Sequence, residues 1–154
     1  MNNMQAQEQD TLFVKDAMQG NVAEIQLGQL ALQKSSNPQV KQFAQRMIDD
    51  HGKMNDSLKP VAQQLGVSAP NKVDKKAQNT INKLSALSGP QFDQAYAADM
   101  VNDHKHDLQS FKDEADTTQN PTMKNIATQG AQVISAHLQM AQQLQSQQPA
   151  SAGQ

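Results

Sequence analysis

Met47-Ile48-Asp49-Asp50-His51 and Met100-Val101-Asn102-Asp103-His104 are two versions of one pattern, set 53 positions apart. The same offset pairs Phe43 with Tyr96, Ala44 with Ala97, Leu58 with Phe111 and Ala62 with Ala115. Around each copy the apolar residues recur every three or four positions, the spacing of one helix face. A single offset serving so many apolar pairs marks two equivalent helices. Each needs an antiparallel partner to cover its apolar stripe. This predicts two helical hairpins joined by a crossover over residues 66–89, with the two repeat-bearing helices parallel.

Outward from the repeat, the remaining elements follow from punctuation. Asn37-Pro38 and Asn120-Pro121 each place a capping side chain before a proline suited to a first helical turn. Pro60 falls inside the second helix, where a kink is expected. The predicted helices cover about 11–35, 38–65, 73–87, 90–116 and 121–145, the third being a short helix within the crossover. No stretch alternates with period two, so no strand is predicted. Residues 1–10 and 148–154 read as disordered tails around one helical domain over 11–147. The fold class is all-α, an up-down-down-up four-helix bundle of ferritin-like layout.

Composition excludes several functions. Thirteen basic residues face fifteen acidic ones, with no like-charge block, and aromatics make up 3% of the chain. Neither a basic groove nor a stacking platform for nucleic acid is expected. There is no cysteine, which removes thiol nucleophiles and thiolate metal sites. No apolar run reaches the roughly 18–20 residues of a transmembrane helix. Residues 1–10 lack the apolar segment of a signal peptide, so both a cytoplasmic chain and a processed, exported one stay open.

Three of the four histidines fall on core stripes. His51 is in phase with Ala44, Ile48, Asn55 and Leu58, and His104 with Ala97, Val101, Leu108 and Phe111. His137 is in phase with Ile126, Gly130, Val133 and Ala141. On the first helix Glu24 is the one acid inside the stripe. Counted from the hairpin breaks, and allowing for side chains that lean toward the helix N-terminus, all four residues converge near mid-bundle. Asp50 and Asp103 flank two of the histidines and are suited to orient them. Glu24, Asp50, His51, Asp103, His104 and His137 are therefore a candidate site for a transition metal: iron, zinc or copper. Met47, Met100 and Met140 lie one turn from the histidines, and thioether with imidazole suits Cu(I). His106, Asp99 and Asp107 read as a solvated face. The competing reading makes the polar layer architectural, in a structural or interaction module of the cell envelope or stress response.

The segment from Phe13 to Gly28, with Asn21-Val22-Ala23-Glu24-Ile25-Gln26-Leu27-Gly28 at its heart, resembles the opening of a bacterial ferritin-like family of unknown function, DUF4142. The likeness continues through residues 40–51, Phe92-Asp93-Gln94-Ala95-Tyr96, Asp103-His104 and His137-Leu138-Gln139-Met140-Ala141, and spans about residues 12–144. Members are often labelled outer membrane or exported proteins. The resemblance implies a ferritin-like fold and a periplasmic or otherwise exported setting, and brings no known activity. Better-known di-iron relatives carry Glu-x-x-His on two helices. That motif is absent here, so enzymatic di-iron chemistry is not expected.

Overall fold

The computed structural model describes residues 2–149. They form five helices: α1 (Asn3–Lys34), α2 (Pro38–Leu65), α3 (Lys75–Ser85), α4 (Gly89–Thr117) and α5 (Pro121–Gln147). No strand occurs among the described residues. None of these helices is long and apolar enough to cross a membrane.

The helix ends have local causes. Asn37 and Asn120 cap α2 and α5 by accepting backbone N–H bonds from Gln39 and from Thr122 and Met123, each ahead of a first-turn proline. Asp74 caps α3 in the same way through Ala77. α2 stops at Gly66, whose φ of 73° lets the Val67 N–H turn back to the Ala62 carbonyl. Pro60 does not end α2. It lies on the exposed face of α2, as does Asp56, whose carbonyl loses its helical partner to the proline.

One boundary differs from the sequence reading. The expected tail over residues 1–10 is, from Asn3 onward, the first turns of α1. Asn2 and Gln5 form a reciprocal capping box, and Ala6 and Asp10 are buried. The short helix is also tighter than expected, running over Lys75–Ser85 instead of 73–87. Of the expected tail at 148–154, residues 150–154 lie outside the described residues, as does residue 1.

The main packing is α1 on α2 and α4 on α5, with α1 also against α4 and α2 against α5. Two apolar clusters fix the directions. One joins the C-terminal ends of α1 and α5 (Leu27, Ala31, Leu144) to the N-terminal halves of α2 and α4 (Phe43, Met47, Tyr96, Met100). The other joins Phe13 and Met18 of α1, Leu58 and Val61 of α2, Phe111 of α4, and Met123 of α5. α2 and α4 therefore run in the same direction, each opposed by its hairpin partner. Between the clusters lies a buried polar layer, with Asn21 and Glu24 from α1, His51 from α2, His104 from α4 and His137 from α5.

Close helix contact frames this layer. A Cβ on Gly28 would stand 2.9 Å from both the Ala44 carbonyl oxygen and the Ile48 side chain. Backbone cannot step aside as a flexible side chain can. Gly28→Ala is expected to lower stability by about 1–2 kcal/mol, since overpacking of ~1–3 kcal/mol outweighs the ~1 kcal/mol helix-propensity gain of alanine. Urea titration checks this, and an alanine variant as stable as the parent refutes the close approach. Gly130 has a similar role on α5, where a Cβ would meet the Phe111 ring at 2.5 Å.

Candidate metal centre

His51, His104 and His137 are buried to 1%, 0% and 1% exposure. Their ring centroids are 5.2–5.6 Å apart, and each ring offers a nitrogen within 4.8 Å of those of the other two. Some point lies within about 2.8 Å of all three such atoms, against roughly 2.0–2.1 Å for a zinc–imidazole bond. A contraction of less than about 1 Å per ring closes the site.

Each imidazole is held by its other nitrogen. His51 Nδ1–H donates to Asn21 Oδ1 at 2.8 Å, and Asn21 in turn donates from Nδ2 to Asn55 Oδ1. The direction is set by that second bond, which leaves the Asn21 oxygen as the acceptor. His104 Nδ1–H donates to the Met100 carbonyl at 2.8 Å, and His137 Nε2–H donates to Asp50 Oδ2 at 2.8 Å. The remaining nitrogens, His51 Nε2, His104 Nε2 and His137 Nδ1, are buried and have no hydrogen-bond partner. An amide, a backbone carbonyl and a carboxylate thus each fix one tautomer and leave one lone pair per ring. This is the outer-shell arrangement of metal-ligating histidines.

The electrostatics keep those lone pairs free. Burial pushes the His51 pKa well below its ordinary value, and repulsion from His104 and His137 adds to this. Burial, with repulsion from His137, takes His104 down to about 4, against a smaller opposing effect of the Met100 carbonyl. Burial also lowers His137, and the Asp50 hydrogen bond opposes this without reversing it. Burial alone would raise Asp50, but the bonds from His137 and from Arg46 Nε, the latter at 2.6 Å, hold it below the usual carboxylate range. The three rings are accordingly neutral at pH 7, the state a metal requires.

The acids divide into different environments. Asp50 orients His137 from outside the triad. Glu24, at 2% exposure, lies close to Asp103 of α4. Burial first, and then the charges of Asp103, Asp107 and Asp99, raise the Glu24 pKa well above normal. The place on α1 that touches the triad belongs to Asn21, which the sequence reading did not select. Its signal was its position three residues before Glu24 on a buried face, in register with Asn55.

Asp99 and Asp107 are not the solvated face that their spacing suggested. α3 packs against α1 and α4 and half-buries both. Burial, reinforced by Asp103, lifts Asp99 to about 7, and burial lifts Asp107 to about 6 despite the His106 contact. His106 is exposed, as its phase indicated. A second acid pair, Asp10 with Glu114, is buried in the α1–α4 contact, with Glu114 raised by burial and by Asp10 to about 8. Asp10 precedes the apolar stripe of α1, so its local spacing carries no sign of burial.

Comparison with known proteins agrees with this architecture. The family model described as "Domain of unknown function (DUF4142)" matches residues 1–144. A crystal structure of a DUF305 fragment from Deinococcus radiodurans has the same fold, with a TM-score of 0.79 at 14% identity, covering 90% of this chain and 95% of that one. No curated protein sequence matches the chain.

Proposed function

Since this chain belongs to the DUF4142 family, a domain family of unknown function, we propose from its own geometry that it is a transition-metal-binding domain with His51, His104 and His137 as the ligands. One observation carries this reading. Three neutral imidazoles converge from three helices, each with one nitrogen anchored and the other buried without a partner. A merely architectural layer is favoured when its polar groups satisfy one another, and this one leaves three buried acceptors unpaired within a single cluster. An ion would satisfy all three at once.

Imidazole-only coordination suits zinc, copper or iron, and three protein ligands leave a fourth position for water or another small donor. Among the site's acids, Asp50 acts as orienting carboxylate, while Glu24 and Asp103 lie to one side of the triad. The layout is that of a ferritin-like four-helix bundle with a short crossover helix, but the chain has no Glu-x-x-His. The reading is therefore one of metal binding or carriage, with no di-iron catalysis and no nucleic-acid partner. An exported, periplasmic setting accords with the family resemblance.

Cobalt(II) titration of metal-free protein tests the proposal. The expected result is one ion per chain, with visible absorption bands of a low-symmetry, nitrogen-ligated site, lost in His51→Ala, His104→Ala and His137→Ala alike. Failure of the parent protein to bind cobalt, zinc or copper leaves an architectural polar layer as the correct reading.

A further inference from the structure

Two openings approach the triad, and their charges differ. Between α2 and α5 a groove reaches the outer side of His137, with Arg46 and Lys53 in its wall and Asp50 occupied by Arg46 and His137. Between α1, α3 and α4 a cavity of about 470 Å³ reaches His51, and Asp16, Glu24, Asp74, Asp103 and Asp107 line it. Lys76 and His106 also line it, and Lys76 acts on the charges of Asp99 and Asp107.

Acidic residues alone do not make a site, but this cavity has a further feature. Glu24 lines it at 2% exposure, and its buried Oε2 has no hydrogen-bond partner. Asp99 Oδ2 and the Tyr96 hydroxyl, both within electrostatic reach of Glu24, are likewise buried and unpartnered. The region crowds buried carboxyl and hydroxyl oxygens that have no protein partner. A cation supplies what is missing, because hard divalent ions take carboxylate, hydroxyl and water oxygens together.

We propose that the cavity beneath α3 is the capture site through which a divalent cation enters, with Glu24 and Asp103 as its first oxygen ligands and His51 as the first imidazole to receive it. This rests on the triad being the resting site. The ion meets a concentration of negative charge in a low-dielectric cleft, which focuses the field and raises the local cation concentration. It exchanges water for the Glu24 and Asp103 carboxylates, then carboxylate for imidazole as it passes inward. The opposite groove, with Arg46 and Lys53 in its wall, repels the same ion.

The test is stopped-flow loading of metal-free protein with cobalt(II) chloride at low ionic strength, followed by the visible absorption of the final complex. Glu24→Gln keeps the shape of the side chain and removes the carboxyl group that would ligate the ion. It is expected to slow loading about tenfold, the order of effect of losing one group that positions a metal ion, with an unchanged final spectrum. Asp107→Asn is expected to slow it less, and Lys53→Ala in the other groove to leave it unchanged. Added salt is expected to slow loading of the parent protein. A Glu24→Gln rate equal to the parent's overturns the capture role. So does an altered final spectrum, which makes Glu24 a resting ligand. If the parent protein binds no cobalt, the triad reading itself falls, an outcome distinct from normal binding at an unchanged rate.

Discussion

Zinc added to the metal-free protein is expected to raise its melting temperature by roughly 5–10 °C, and His104→Leu to abolish the rise. A ligand that binds the folded state alone contributes about 2.7 kcal/mol when present at one hundred times its dissociation constant. For a chain of this size each kcal/mol corresponds to about 2–4 °C. The variant has a second expected effect of opposite sign. In the metal-free protein His104 Nε2 is a fully buried acceptor without a partner. Such a group costs ~1–3 kcal/mol. Leucine is close in size and apolar, and the Met100 carbonyl keeps its helical hydrogen bond when the imidazole is removed. His104→Leu without metal should therefore melt no lower than the parent, and up to several degrees higher. Scanning calorimetry with chelator and with zinc separates the two effects. If the metal-free variant is instead several kcal/mol less stable, and zinc stabilises neither protein, the histidines are structural and the metal reading is wrong.

The parts of this molecule legible in its sequence were those encoded by local period and punctuation. The 53-residue repeat located two helices with matched faces, and both of its histidines are buried at corresponding heights. Asn37-Pro38 and Asn120-Pro121 marked two helix starts to the residue, because a cap and a fixed φ act locally. Helix height and phase brought His51, His104 and His137 together, but phase on a single helix does not say which neighbour a side chain meets. Glu24 and Asn21 differ by three residues, nearly one turn, yet one faces the acids of α4 and the other faces His51. What α3 covers was equally unreadable. Asp99 and Asp107 are spaced like a solvated ladder, and their half-burial comes from a crossover whose docking leaves no mark on the period of α4. The start of α1 is hidden in the sequence for another reason. The Asn2–Gln5 capping box is a local signal, but the polar run after it lacks a continuous apolar stripe, and its burial depends on Asp10 meeting Glu114.

Acid is expected to separate the parent protein from His104→Leu more than any other condition. All three buried histidines have folded pKa values below the unfolded value of about 6.5. Between the folded and unfolded values the unfolded chain holds more protons. The contribution of each histidine is therefore complete above about pH 6.5 and is lost as pH falls toward the folded value. For His104, which titrates at about 4, that loss is on the order of 3 kcal/mol across the interval. The buried acids act in the opposite direction. Asp107, Asp99 and Glu114 are raised to about 6, 7 and 8, and Glu24 is raised as well. Here the folded state holds more protons, so stability falls as pH rises from the ordinary carboxylate range through those values. Below pH 6.5 the two slopes oppose each other in the parent protein, and its own stability curve shows only their difference. Above pH 6.5 the acids act alone, and parent stability is expected to decline up to about pH 8. Subtracting the parent curve from that of His104→Leu cancels the acids, which both proteins share. Urea unfolding at intervals from pH 7 to pH 4, with chelator present, should show the variant gaining on the parent continuously, by a few kcal/mol at the acid end. A difference that stays flat with pH means that His104 titrates in the folded protein as it does in the unfolded chain, which is incompatible with a neutral, buried triad.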